Sequence, residues 1–198
     1  MIPLKLPKAQ HISLFTPNKR NTTRKNSSLR IRETVVLAML GSIMFGSKIL
    51  MEMLPNIHLL GMFTVSYTVV FRKKALIAIY VYVMLNGLYS GFSLWWIPYL
   101  YIWTILWAIT MALPRNIPKK IKCIVYPIIC FLHGLAFGTL YAPAQALMLG
   151  LSFKQTLAWI VAGLPWDLVH GVGNLIAGFL IVPLCELLEK LLKMKHIN

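Results

Sequence analysis

Apolar residues in this chain run in long blocks, and polar residues gather in short clusters between them. The blocks cover approximately residues 34–54, 57–71, 75–93, 97–113, 121–142 and 153–185. Crossing about 30 Å of hydrocarbon takes roughly 20 helical residues. The pattern therefore predicts an all-α integral membrane protein, a bundle of six transmembrane helices. A polar stretch at 1–32 precedes the bundle as an N-terminal arm, the membrane domain occupies 33–190, and 191–198 form a short tail.

The clusters between the blocks set the orientation. Eight basic residues lie before the first block, from Lys5 to Arg32. Arg72, Lys73 and Lys74 follow the second block, and Arg115, Lys119, Lys120 and Lys122 follow the fourth. Lys190, Lys193 and Lys195 close the chain. With six crossings these clusters fall at every second junction, so all of them share one side. Basic loops stay in the cytoplasm, which predicts that both termini are cytoplasmic. The opposite junctions, near Pro55-Asn56, Gly91 to Trp96 and Pro143 to Ser152, contain no Lys or Arg.

Composition agrees with the pattern. Of 198 residues 58% are apolar and 13% charged, and the mean hydropathy is +0.70. Soluble domains run near 45–50% and about 25% respectively, so disorder and an ordinary water-soluble core are both excluded. The formal charge of +15 is absorbed by the orientation signals. The acid-free arm suits contact with anionic lipid and shares its composition with organelle transit peptides. Nucleic-acid binding is not expected of so short an arm tethered at a bilayer.

Motif searches exclude several chemistries. No phosphate-binding loop, H-E-x-x-H, G-x-S-x-G or dinucleotide fingerprint occurs. Cys123, Cys130 and Cys185 form no C-x-x-C pair or metal spacing and read as packing residues. Any uphill transport would draw its energy from a partner or an ion gradient.

Polar groups within the blocks are the remaining candidates, since a polar group at membrane depth needs a partner or a purpose. Asp167, His170 and Asn174 are spaced i, i+3, i+7 and share a helix face. Two readings fit that face. Asp167 complements a helix start near Pro165 while His170 and Asn174 bond neighbouring helices, or the face lines a cavity and reads a ligand. Ser152-x-x-Gln155 predicts a capping box and hence a helix that begins early and breaks at Pro165. Trp96, Tyr99 and Trp103 repeat the same spacing along the fourth block, either as part of an interfacial belt or as a stacking stripe descending into the bundle. Tyr82, Asn86 and Tyr89 lie on the block leading into it. His133 sits mid-block, and Gln145 lies in a segment from Pro143 to Ser152 suited to a lid. Glu52, Asn56 and His58 read as a solvated loop, with Lys48 placed either to snorkel outward or to pair with Glu52 one turn along. Ala38, Ser42 and Gly46 form a small-residue stripe, open either to internal packing or to a partner helix.

The last block reads Gly163-Leu164-Pro165-Trp166-Asp167-Leu168-Val169-His170-Gly171-Val172-Gly173-Asn174. This run resembles the G-[IL]-P-[FW]-D-x-[IV]-H-x-[IV]-x-N pattern of substrate-binding S components of energy-coupling factor (ECF) transporters. Six crossings, cytoplasmic termini and the helix-one stripe are similar too, although the family's Ala-x-x-x-Ala stripe stands here as Ala38-x-x-x-Ser42, extended by Gly46. The resemblance implies a non-enzymatic, multi-pass protein of a bacterial cell membrane. It would bind a vitamin or related micronutrient at the outer face and deliver it with a T component and two cytoplasmic ATPases, which hydrolyse the ATP; it would hold no cofactor or metal itself. It further implies a ligand between the outer halves of helices four to six, at Trp96, Tyr99, Trp103, His133, Gln145, Asp167, His170 and Asn174. Ala38, Ser42 and Gly46 would meet the T component. The rival readings are a stand-alone small-molecule transporter or channel, and an integral-membrane enzyme using His133, Asp167 and His170. The second lacks a deep acid pair or a His-rich metal cluster.

Overall fold

The computed structural model describes residues 19–54 and 57–194, with side chains from Ile31 to Lys193. Most of the basic arm, the end of the tail including Lys195, and Pro55 and Asn56 lie outside the described residues. The described chain is all-helical: α1 (Lys19–Leu50), α2 (Leu60–Phe71), α3 (Ala75–Ser90), α4 (Tyr99–Ala112), α5 (Lys119–Leu135), α6 (Phe137–Leu149), α7 (Phe153–Gly178) and α8 (Ile181–Met194). Short 3-10 turns at Arg72–Lys74 and Leu94–Trp96 lead into α3 and α4. The chain divides into two compact units, Met1–Val35 and Val36–Asn198. The described part of the first is helical, and the second holds the rest of α1 together with α2 to α8.

Among the described residues, four stretches are long and apolar enough to cross a membrane: Ile31–Leu50, Leu94–Ala112, Lys119–Leu149 and Phe153–Gly178. The surface agrees with that environment. Leu157, Val161, Leu164, Leu168, Val172 and Ile176 form a stripe down α7 that is 43% to 66% exposed. A continuous apolar face of this length is unstable against water and suited to lipid. α2 and α3 are shorter, at 12 and 16 residues.

Local chemistry sets the boundaries. Ser152 and Gln155 form the predicted capping box: Gln155 N–H donates to Ser152 Oγ at 3.3 Å and Ser152 N–H to Gln155 Oε1 at 2.8 Å. α7 therefore starts early, as expected. It does not break at Pro165, which α7 carries within its length; the break falls instead at Phe179 and Leu180, just ahead of Pro183. The expected lid at 143–152 is also not a loop, because residues through Leu149 belong to α6, which closes on Gly150 at φ 66°. The turn between α2 and α3 holds Arg72 at φ 55°, a conformation that costs a non-glycine residue about 1–2 kcal/mol. Two bonds to α4 hold it there: Arg72 Nη2 donates to Met111 O at 3.0 Å, and Trp107 Nε1 donates to Arg72 O at 3.2 Å.

α5 and α7 pack along most of their length because glycines let their backbones meet. A Cβ at Gly134 would lie 2.8 Å from Gly171 Cα and 2.9 Å from Gly171 N. One core cluster gathers Met44, Tyr67, Tyr82 and Trp103 from α1 to α4. A second gathers Met62, Leu106, Tyr126, Cys130, Ile181 and Cys185. Cys130 and Cys185 thus pack as expected, whereas Cys123 is exposed.

Basic junctions meet at one end of this bundle. Arg72, Arg115, Lys122 and Glu189 line a common cavity of about 210 Å³, and Lys119 pairs with Glu186 beside it. His58 precedes the other end of α2, so it lies about 18 Å away at 1.5 Å per residue.

On α1, Leu37 and Met44 are buried, and a Cβ on Gly41 would meet Val81 Cβ at 2.8 Å. Ser42 lies off this face and is exposed, and a Cβ on Gly46 would meet nothing within 4 Å. Ser42 and Gly46 are therefore off the internal packing face, while Ala38 beside them is half-buried.

Candidate functional site

Trp103 is the hub of an aromatic cluster at the end of the bundle away from the basic junctions. It is fully buried, because its position on α4 faces α3, α5 and the segment before α2 together. Its ring lies 6.0 Å from Tyr82, 6.2 Å from Tyr99, 5.9 Å from His58, 5.8 Å from His133 and 6.0 Å from Phe137. His170 joins from α7, 4.6 Å from His58 and 4.7 Å from Phe137 between ring centroids. Above this cluster opens a cavity of about 180 Å³, lined by His58, Tyr99, Phe137 and His170 and rimmed by Lys48 and Glu52.

Asn174 lies one turn beyond His170, 1% exposed, in a cradle made by two glycines. A Cβ on Gly61 would stand 3.1 Å from Asn174 Oδ1, and one on Gly134 would stand 2.9 Å from Asn174 Nδ2. Only residues without a side chain leave room there for the amide.

The cluster is notable for what its polar atoms do not do. Buried polar groups are normally hydrogen-bonded, and leaving one unmatched costs about 1–3 kcal/mol. Here His58 Nδ1, Tyr82 OH, Trp103 Nε1, His133 Nδ1, His170 Nε2 and both amide atoms of Asn174 are buried without a partner in the protein. Asn86 Oδ1, one turn along α3 from Tyr82, is in the same condition. Of these residues His58 and His170 line the cavity, so their free ring nitrogens are the ones that face a polar occupant.

Of the residues singled out from sequence, Tyr99, Trp103, His133, His170 and Asn174 come together. His133 is half committed to the fold: its Nε2–H donates to Ile102 O at 3.1 Å, leaving Nδ1 as an acceptor. Asp167 does not read the cavity. Both carboxylate oxygens accept the Gly138 N–H, at 3.0 and 3.1 Å, so Asp167 of α7 caps the first turn of α6, where a negative charge is favoured. Trp96 is not on α4 but in the 3-10 turn before it; its Nε1 donates to Val83 O at 2.8 Å and its ring packs edge-on against Phe92. Gln145 lies on α6 and is not among the cavity-lining residues.

No family model, curated protein or solved structure matches the chain. The site therefore rests on its own geometry.

Two members escape sequence reasoning. Phe137 is one aromatic in an apolar run, and nothing in the sequence separates it from lipid-facing neighbours. His58, read as part of a solvated loop, is instead tucked between Trp103 and His170; a histidine at the second position of an apolar block was the available signal. Lys48 pairs with Glu52 at 3.0 Å, as its spacing predicted, and its Nζ also lies 5.4 Å from the Tyr89 ring centroid. Among the described residues no three His, Cys, Asp or Glu side chains form a metal-binding group.

Proposed function

We propose that this protein is the substrate-binding S component of an ECF-type importer in a bacterial cell membrane. In this reading α1, α2, α3, α4, the bent pair α5–α6 and the pair α7–α8 make six crossings, with both termini and the basic junctions in the cytoplasm. The aromatic cluster then faces outward. It captures a small vitamin-like micronutrient, which a T component and two cytoplasmic ATPases help to deliver inside. The protein binds and releases; it does no chemistry on its cargo.

The observation that carries the proposal is the destination of the last-block pattern. His170 and Asn174, the two polar residues that follow Asp167 in that pattern, both reach the cluster of unmatched polar atoms, at the end opposite the basic junctions. The outward-turned stripe at Ala38, Ser42 and Gly46 supports a helix partner, since small residues let another helix approach closely.

The test is purification in mild detergent from a host expressing an ECF module, with uptake measured in the same cells. Recovery of both ATPases with the protein, lost in the Ala38→Trp, Gly46→Trp double variant, is the expected result. A protein that purifies alone and transports without ATPases is a stand-alone transporter, and the proposal fails.

A further inference from the structure

We infer that the ligand of this site is a compact, uncharged heterocycle carrying both hydrogen-bond donors and acceptors, and that the site rejects phosphorylated and carboxylated forms of the same ring. This rests on reading the cavity as a ligand site, as proposed above, and goes further by assigning the chemical class.

Charge decides the first part. An anionic ligand needs a free cation, and a cationic one needs a free carboxylate, because a charge taken from water without a partner is strongly disfavoured. Lys48 and Glu52 are the charged side chains lining the cavity, and they neutralise each other at 3.0 Å. Glu52 also receives the Tyr89 hydroxyl at 3.5 Å. Asp167, the nearby acid of α7, accepts the Gly138 N–H and is not among the cavity-lining residues. The fixed charges of the described lining are therefore already paired with each other, which leaves the His58 and His170 imidazoles as the polar groups a ligand would meet.

The unmatched atoms decide the second part. Trp103 Nε1 can only donate, and His133 Nδ1, with its Nε2–H given to Ile102 O, can only accept. Asn174 offers two amide donors and a carbonyl acceptor, Asn86 an acceptor, and Tyr82 a hydroxyl able to do either. His58 and His170 line the cavity itself and each keeps one ring nitrogen without a partner. The atoms of Trp103, His133, Asn174, Asn86 and Tyr82 belong to residues behind the cavity lining, so a ligand first meets His58 and His170. A hydrocarbon would leave both of their ring nitrogens unmatched, whereas a heterocycle with ring nitrogens, amide edges or hydroxyls gives or takes a hydrogen bond at each, and its faces suit the rings of Tyr99 and Phe137.

Size limits the rest. The cavity of about 180 Å³ is below the roughly 300–1,000 Å³ of pockets that enclose drug-sized ligands. One ring or a small fused pair fits; a nucleotide or a macrocycle does not.

The experiment titrates the full-length protein in nanodiscs with matched pairs that differ in charge, following tryptophan fluorescence and the melting midpoint. The pairs are nicotinamide and nicotinate, and pyridoxine and its 5′-phosphate. At least one neutral member is expected to bind, with its charged partner weaker by about 100-fold or more, as an unpaired charge entering a buried site requires. His58→Ala and His170→Ala, each checked for folding by its melting midpoint, are expected to weaken that neutral ligand at least about 10-fold. Equal or tighter binding of an anionic member overturns the inference, and so does the failure of every neutral member to bind. These outcomes are separable from the transport reading. Anion preference in a protein that still recovers its ATPases sinks only the ligand class, and neutral-ligand binding without ATPases sinks only the S-component assignment.

Discussion

Replacing Asn174 by Leu is expected to stabilise the ligand-free protein while abolishing binding. Most substitutions at a site 1% exposed cost stability, by about 1 kcal/mol on average. Asn174 is different because neither amide atom has a partner in the protein. An unmatched buried polar group costs about 1–3 kcal/mol, and Leu is close in shape while carrying no polar atom. Against that gain stands the tight cradle: a Cβ on Gly61 would already be 3.1 Å from Oδ1, so the bulkier methyls give back part of it. The net expectation is a gain of about 1–2 kcal/mol. For a chain of this size that is a rise of roughly 2–8 °C in melting midpoint, read by intrinsic fluorescence in detergent on protein stripped of ligand. Asn174→Val, smaller than Leu, controls for crowding. If both variants melt lower than the parent, the amide is serving the fold, and the reasoning from unmatched atoms is refuted. A gain in stability with retained ligand affinity refutes the other half, that Asn174 belongs to the site.

Other substitutions separate folding roles from binding roles. Asp167→Asn removes the charge that caps α6 and is expected to cost about 1–2 kcal/mol, seen as a lower melting midpoint with ligand affinity nearly preserved in the folded fraction. Gly134→Ala places a methyl against the Gly171 backbone, where no side chain can yield; a loss of about 1–3 kcal/mol in the same melt is expected, and an unchanged midpoint excludes the close α5–α7 crossing. Gly46→Leu, by contrast, meets open space and is expected to leave the isolated protein within about 0.5 kcal/mol of the parent, so any loss of uptake it causes reports on a partner. Trp103→Phe keeps an aromatic ring but deletes the indole donor; it is expected to lower ligand affinity about 5- to 10-fold, measured by calorimetry, with a smaller effect on the melt.

Much of the helical plan is visible in sequence because lipid imposes a coarse rule, apolar residues for the length of a crossing and polar residues at its ends. α4 fills the predicted 97–113 closely, at Tyr99–Ala112. Ser152 and Gln155 announce the start of α7 because a capping box is a local contact, three residues apart. The bend at Ala136 and the break at Phe179 are not visible in that way, since each depends on what packs against the helix from elsewhere. Trp96 misled for a related reason. Its spacing to Tyr99 and Trp103 implies one helical face only if the helix has begun, and Pro98 delays the start of α4 until Tyr99.

Asp167 shows why spacing alone gives the wrong task to a right residue. It shares a face with His170 and Asn174, and its burial marks it as important, but its partner is a backbone N–H that no residue-type pattern encodes. The capped helix begins at Phe137, and Phe137 is the ring that touches His170. Asp167 therefore holds the start of α6 where Phe137 closes the wall, while His170 and Asn174, three and seven residues further along α7, present the polar atoms. In the proposed reading, positioning and recognition are thus carried by one stretch of α7, and the α5–α6 bend is the element between them. Because Gly138 leaves no room for a Cβ beside the Asp167 carboxylate, the bend is fixed by two residues from distant parts of the chain. The site's geometry is set by a contact that includes none of the atoms it would use to bind.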